Sequence, residues 1–216
     1  MRRTRIKFCG ITRPEDARAA EAAGCDAVGV VLWPGSKRAV SRDQAKEIAG
    51  AVSPMIAVVG VFVSPTPEEV QSAALDIGLS AAQLSGPLDE RGWDSVNGVR
   101  LLRVIGMNSD LQRPEPWRGL RDYVLDTLDA NHQGGTGQAF DWSLVSRIDH
   151  SWRIWLAGGL SPENVDTAIR QVRPYGVDVS SGIESSVGIK SADLMQRFAE
   201  QVRRADESLR TDRLEQ

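Results

Sequence analysis

Along this chain, short apolar runs rich in β-branched residues alternate with longer segments whose apolar positions recur at i, i+3 and i+4. Residues 6–8 form the first such run. Residues 14–23, with Ala, Glu and Arg at helical spacing, form the first amphipathic segment. The pairing recurs at 27–32 with 41–52, and at 56–63 with 67–76. Ser41 and Thr66 stand where helix caps belong. Pro14 and Pro67 fit the first helical position, where a missing N–H leaves no bond unmade. Further on, 81–84 precedes 89–96, and 99–105 precedes a proline-broken stretch through Pro116. Residues 123–125 then lead through a glycine-rich loop to an amphipathic turn at 141–148, 154–157 lead to 162–172, and 177–179 lead to 192–205. Eight β/α units are predicted.

Parallel neighbours each need a crossover, and closing the sheet removes its edges, so eight such units in about 200 residues predict a closed barrel. An open doubly wound sheet is the structural rival. The first turn, however, is Cys9-Gly10-Ile11-Thr12 and lacks the G-x-G-x-x-G dinucleotide cradle. The expected architecture is therefore α/β, a single-domain (β/α)8 TIM barrel over residues 1–206, with 207–216 as a charged C-terminal tail. The run Gly24-Cys25-Asp26-Ala27-Val28 is echoed in Gly176-Val177-Asp178-Val179-Ser180, as related strand entries would be.

Composition narrows the function. Lys and Arg number 26 against 29 Asp and Glu, giving a net charge of −3, which excludes a polyanion binder driven by bulk charge. The six tryptophans are scattered and not interleaved with basic residues, so no nucleic-acid partner is expected. Cys9 and Cys25 make no disulfide framework, and His132 and His150 have no companions at ligand spacing, so no metal is expected. The longest apolar stretch, 55–63, is far shorter than the roughly 20 residues that cross a bilayer. No export signal develops after the basic start, and a cytoplasmic location is expected.

Catalytic groups in such barrels stand at the C-terminal ends of strands. Those ends carry Cys9, the loop Pro34-Gly35-Ser36-Lys37-Arg38, Asp126, Gly158-Gly159 and Ser180-Ser181-Gly182. The last two loops can turn bare backbone N–H groups on one anion, which points to a phosphorylated ligand, unless their glycines only turn corners. Gly134-Gly135-Thr136-Gly137 adds a candidate lid contact. Cys9 is followed by Gly10, which admits a ligand, and Lys7 lies two residues earlier on the same strand side, where its cation favours a thiolate able to act as a base. Asp126 closes the apolar run Tyr123-Val124-Leu125, so desolvation would raise its pKa and suit it to donate a proton. Asp178 reads as an internal partner for Lys7, Cys25 as inert, and Asp129 and Asp141 as a loop acid and a helix cap. Arg38 is read either as a bidentate carboxylate grip or as a solvated loop charge.

Several longer runs together resemble the phosphoribosylanthranilate isomerase family of tryptophan biosynthesis. They are Lys7-Phe8-Cys9-Gly10-Ile11-Thr12, Ser36-Lys37-Arg38, Leu125-Asp126-Thr127, Gly134-Gly135-Thr136-Gly137, Gly158-Gly159-Leu160-Ser161-Pro162-Glu163-Asn164-Val165 and Val177-Asp178-Val179-Ser180-Ser181-Gly182-Ile183-Glu184. The resemblance spans nearly the whole chain. It implies an Amadori rearrangement of N-(5′-phosphoribosyl)anthranilate to 1-(2-carboxyphenylamino)-1-deoxyribulose 5-phosphate, without a cofactor. Asp126 would be the general acid and Cys9 the general base. Arg38 would hold the anthranilate carboxylate, and Gly135, Gly158, Gly159, Ser181 and Gly182 the phosphate of the aminosugar. A monomer and a homodimer both stay open. One departure is visible: Gln83-Leu84-Ser85-Gly86 carries Ser85 where the family commonly has His, which is expected to alter affinity or pH response and not the reaction class. The rivals are the related histidine-pathway sugar isomerase, which resembles a two-aspartate system, and a noncatalytic phosphosugar-binding barrel.

Overall fold

The computed structural model describes residues 3–89, 91–107, 117, 119–127, 141–148 and 151–214. Eight parallel strands close into a barrel in chain order. They are β1 Arg5–Phe8, β2 Ala27–Val31, β3 Ala57–Val63, β4 Ala81–Ser85, β5 Arg100–Gly106, β6 Asp122–Asp126, β7 Arg153–Leu156 and β8 Gly176–Val179. Closure comes from β1 pairing with β8, with Lys7 opposite Asp178.

The period of two along each strand divides the side chains between two cores. Ile6, Phe8, Val28, Val30, Phe62, Leu84 and Val177 face outward into the layer shared with the helices. Phe8 is fully buried and meets Phe198 edge to face at 5.9 Å, a contact whose loss on truncation to Ala costs about 3–5 kcal/mol. Ala27, Val59, Leu102, Val124 and Trp155 fill the barrel interior.

The helices α1 Pro14–Ala23, α2 Arg42–Gly50, α3 Pro67–Ile77, α4 Val165–Val172 and α5 Ala192–Leu214 start and stop for local reasons. Ser41 and Thr66 each form a full capping box, with Gln44 and Glu69 respectively, and Pro67 opens α3. Gly24 ends α1 at φ 91°, a left-handed conformation that glycine adopts without strain.

Two expectations are corrected. The segment read as a helix after β4 holds only a 3₁₀ turn, Trp93–Ser95, whereas the amphipathic turn expected at 141–148 is a 3₁₀ turn, Trp142–Arg147. Gly92 and Gly98, both at positive φ, break up the first of these connections. The charged tail expected from residue 207 is instead the last part of α5. Met195, Phe198, Ala199, Val202, Ala205 and Leu209 are all buried, so the apolar stripe runs past the expected boundary. Beyond β8, a 3₁₀ turn Ser181–Ile183 leads into a small hairpin, β9 Glu184–Ser186 and β10 Ile189–Lys190.

Candidate active site

A cleft of about 450 Å³ opens at the C-terminal ends of the barrel strands. Cys9, Arg38, Asp126, Gly158, Gly159 and Ser181 all line it. Gly182 does not. A Cβ there would stand 2.0 Å from the Leu160 carbonyl oxygen, so this glycine is what lets the loops after β7 and β8 lie against each other. Gly135 lies outside the described residues, as do Asp129, His132 and His150. Cys25 sits at the opposite end, at the entry to β2, where burial pushes its thiol up to about 12. Asp141 caps its 3₁₀ turn by accepting from the Ser143 N–H at 2.9 Å.

Beneath the cleft, three strands meet through one buried cation. Lys7, 1% exposed, donates from Nζ to Asp178 Oδ2 at 2.7 Å and to Gln83 Oε1 at 3.0 Å. Burial works against this charge, but Asp178 and then the Cys9 sulfur outweigh it and hold the ammonium above its usual range. Asp178 is 6% exposed, and its Oδ1, buried in a residue that lines the cleft, has no hydrogen-bond partner among the described residues. The pairing of Lys7 with Asp178 is as expected. The contribution of Gln83 was missed, although its place on the inward face of β4 follows from the strand alternation.

The two titratable groups at the rim are tuned in the same direction. Burial, then the charge of Asp178, raises Asp126 to about 7, against a smaller opposing pull from the Thr127 N–H and Lys7. Burial also raises the Cys9 thiol. Lys7 pulls it down, as expected from the sequence, but the desolvation and Asp178 win and hold the thiol above its usual range. Glycines make the close packing possible. A Cβ on Gly29 of β2 would lie 2.8 Å from Cys9 Sγ, and one on Gly158 would lie 2.3 Å from Thr127 Oγ1 and 3.1 Å from Asp126 Oδ1.

Arg38 is engaged within the protein. Its Nε and Nη2 donate to the two oxygens of Glu184 at 2.7 Å each, and Glu184 also accepts from Lys190 Nζ at 2.9 Å. Burial works to raise Glu184, but these bonds hold it below the usual carboxylate range. Neither Glu184 nor Lys190 was singled out from the sequence. Glu184 closes the run that begins at Val177, and Gly188 between short alternating runs marks the hairpin that holds both. Ser85 lines the cleft and donates to the Phe62 carbonyl at 2.9 Å. Among the described residues no group of three His, Cys, Asp or Glu is placed to hold a metal, and no helix is long and apolar enough to cross a membrane.

A closed parallel barrel with an acid, a thiol and glycine loops at its C-terminal rim defines a (β/α)8-barrel enzyme. Comparison with known proteins makes the assignment specific. Residues 6–201 match the sequence profile of N-(5′-phosphoribosyl)anthranilate (PRA) isomerase. A curated relative, the N-(5′-phosphoribosyl)anthranilate isomerase of Magnetococcus marinus, is 42% identical over 206 residues, covering 94% of this chain and 97% of its own. The crystal structure of phosphoribosyl anthranilate isomerase from Thermus thermophilus superposes with a TM-score of 0.81 at 32% identity, covering 93% of this chain and 99% of the other. A phosphoribosyl anthranilate isomerase in complex with reduced 1-(o-carboxyphenylamino)-1-deoxyribulose 5-phosphate gives a TM-score of 0.76 at 33% identity, with 93% and 98% covered. The chain belongs to the PRA isomerase family.

Proposed function

We propose that this enzyme rearranges N-(5′-phosphoribosyl)anthranilate to 1-(2-carboxyphenylamino)-1-deoxyribulose 5-phosphate, with Asp126 as general acid and Cys9 as general base. The observation that carries the reading is that these two side chains, from opposite sides of the barrel, line one cleft beside the glycine loops after β7 and β8. Raised to about 7, Asp126 can still carry its proton near neutral pH, which an ordinary aspartate would have lost.

The acid gives its proton to the ring oxygen. The C1′–O bond breaks as the anthranilate nitrogen lone pair forms C1′=N, leaving an open-chain iminium. Cys9, thiolate in the minor tautomer of the singly protonated site whose one proton sat on Asp126, then takes the C2′ proton, and those electrons form C1′=C2′ while the nitrogen regains its lone pair. The enolamine tautomerises to the ketone as the C2′ hydroxyl loses its proton and C1′ gains one. Lys7, two residues earlier on the same strand face, favours the thiolate by its charge while it exists. The backbone of Gly158, Gly159 and Ser181 holds the phosphate, and Arg38 meets the anthranilate carboxylate. Asp178 Oδ1 supplies a free acceptor for a hydroxyl of the sugar.

The test is a fluorescence assay of phosphoribosylanthranilate consumption by the purified protein. Cys9→Ser and Asp126→Asn are each expected to lower kcat by about 10²–10⁴-fold. Turnover within tenfold of the parent in either variant would remove that residue from the chemistry.

A further inference from the structure

Behind the cleft, the β9–β10 hairpin carries two buried charges up to Arg38. Glu184 grips the guanidinium at two points, through Nε and Nη2, and such a fork fixes its rotation as well as its distance. Lys190, whose side chain is fully buried, donates to Glu184 Oε1 and, at 2.9 Å, to the carbonyl of Ser180 in the loop after β8. The hairpin is itself pinned: Thr12 Oγ1 donates to the Gly188 carbonyl at 2.5 Å, and the Lys190 N–H donates to Asp16 Oδ2 at 3.1 Å.

Two features of this triad point towards a ligand. Arg38 lines the cleft, and its Nη1 has no partner among the described residues. Two cations also share one carboxylate, so the group carries a net positive charge in a place where little water reaches it. Such an excess is unfavourable until an anion completes it.

We propose that Glu184 and Lys190 are positioning residues for the carboxylate of the aromatic amine, holding Arg38 so that its Nη1 end meets that carboxylate, and tying this grip to the loop after β8 through Ser180. The inference rests on the role given to Arg38 above, and the experiment separates the two. Dissociation constants are measured for reduced 1-(o-carboxyphenylamino)-1-deoxyribulose 5-phosphate and for the 1-phenylamino compound that lacks the carboxylate. The proteins compared are the parent, Arg38→Met, Glu184→Gln and, as a shape-shifted variant that keeps the charge, Glu184→Asp. The parent is expected to prefer the carboxylated ligand at least tenfold. Glu184→Gln is expected to bring that preference within threefold while leaving affinity for the phenylamino compound within threefold of the parent, and Glu184→Asp to fall between. If Arg38→Met keeps the parent's preference, the role of Arg38 is wrong. If Arg38→Met loses it and the Glu184 variants keep it, only the present inference fails. Equal weakening of both ligands by the Glu184 variants, or failure of both variants to fold by circular dichroism, would assign the triad to stability and overturn it.

Discussion

Asp126→Asn separates what this carboxyl does for chemistry from what it costs the fold. Burial and the Asp178 charge lift Asp126 from 3.8 to about 7. Between those values the unfolded chain releases a proton that the folded protein keeps, so stability falls as pH rises from about 4 to 7 and is level above that. At 1.36 kcal/mol per pH unit the lift amounts to about 4 kcal/mol. Residual exposure to water at the cleft mouth trims this to an expected range of about 2–4 kcal/mol. Asparagine keeps the shape and can still accept from the Thr127 N–H, but it never ionises. The variant should therefore match the parent near pH 4 and exceed it at pH 8 by about 2–4 kcal/mol, while losing its activity. Urea unfolding followed by tryptophan fluorescence at both pH values measures this, provided the slopes of the two proteins agree. A variant no more stable than the parent at pH 8, or one whose advantage is the same at both pH values, would refute the argument that the site strains the fold by holding this acid in place.

Other consequences follow from the same geometry. With Asp126 near 7 and Cys9 above the usual thiol range, the reactive form, protonated acid with thiolate, is a minor tautomer of the singly protonated site. kcat/KM should be bell-shaped with its acid limb at about pH 7, and a profile with its acid limb near 4 would contradict this. Gly29→Ala places a Cβ 2.8 Å from Cys9 Sγ in an extended strand. It should lower stability by about 1–3 kcal/mol and depress kcat more than it raises KM, read from steady-state kinetics beside urea unfolding. Lys7→Met leaves the Asp178 carboxylate buried without its cation and should cost about 3–5 kcal/mol of unfolding free energy read from urea titration, most of which the double change Lys7→Met with Asp178→Leu should restore.

The barrel was legible because its signals are local. Ser41, Thr66, Pro14, Pro67 and the two periodicities mark starts, stops and faces within a few residues of one another. Cys9 and Asp126 were legible as strand-end residues, and the pull of burial on Asp126 followed from its apolar neighbours. The sign for Cys9 did not follow. Lys7 was visible two positions away, but the desolvation that outweighs it is a property of the packed barrel. Arg38 shows the same limit more sharply. Its partner Glu184 is 146 residues distant, and no spacing rule connects a loop after β2 with a hairpin after β8. The tail was expected for a different reason: beyond residue 203 the charges are dense and few apolar residues, Leu209 among them, keep the helical stripe in phase.

The pairing of the first strand with the eighth has a bearing on when this protein becomes an enzyme. The thiol and Lys7 travel on a strand made well before the carboxylate that neutralises Lys7, which arrives only with Asp178 on β8. A nascent chain therefore carries an uncompensated ammonium and an open seam until β8 emerges. The seam between β8 and β1 is where two separately expressed fragments would have to find each other to regain turnover.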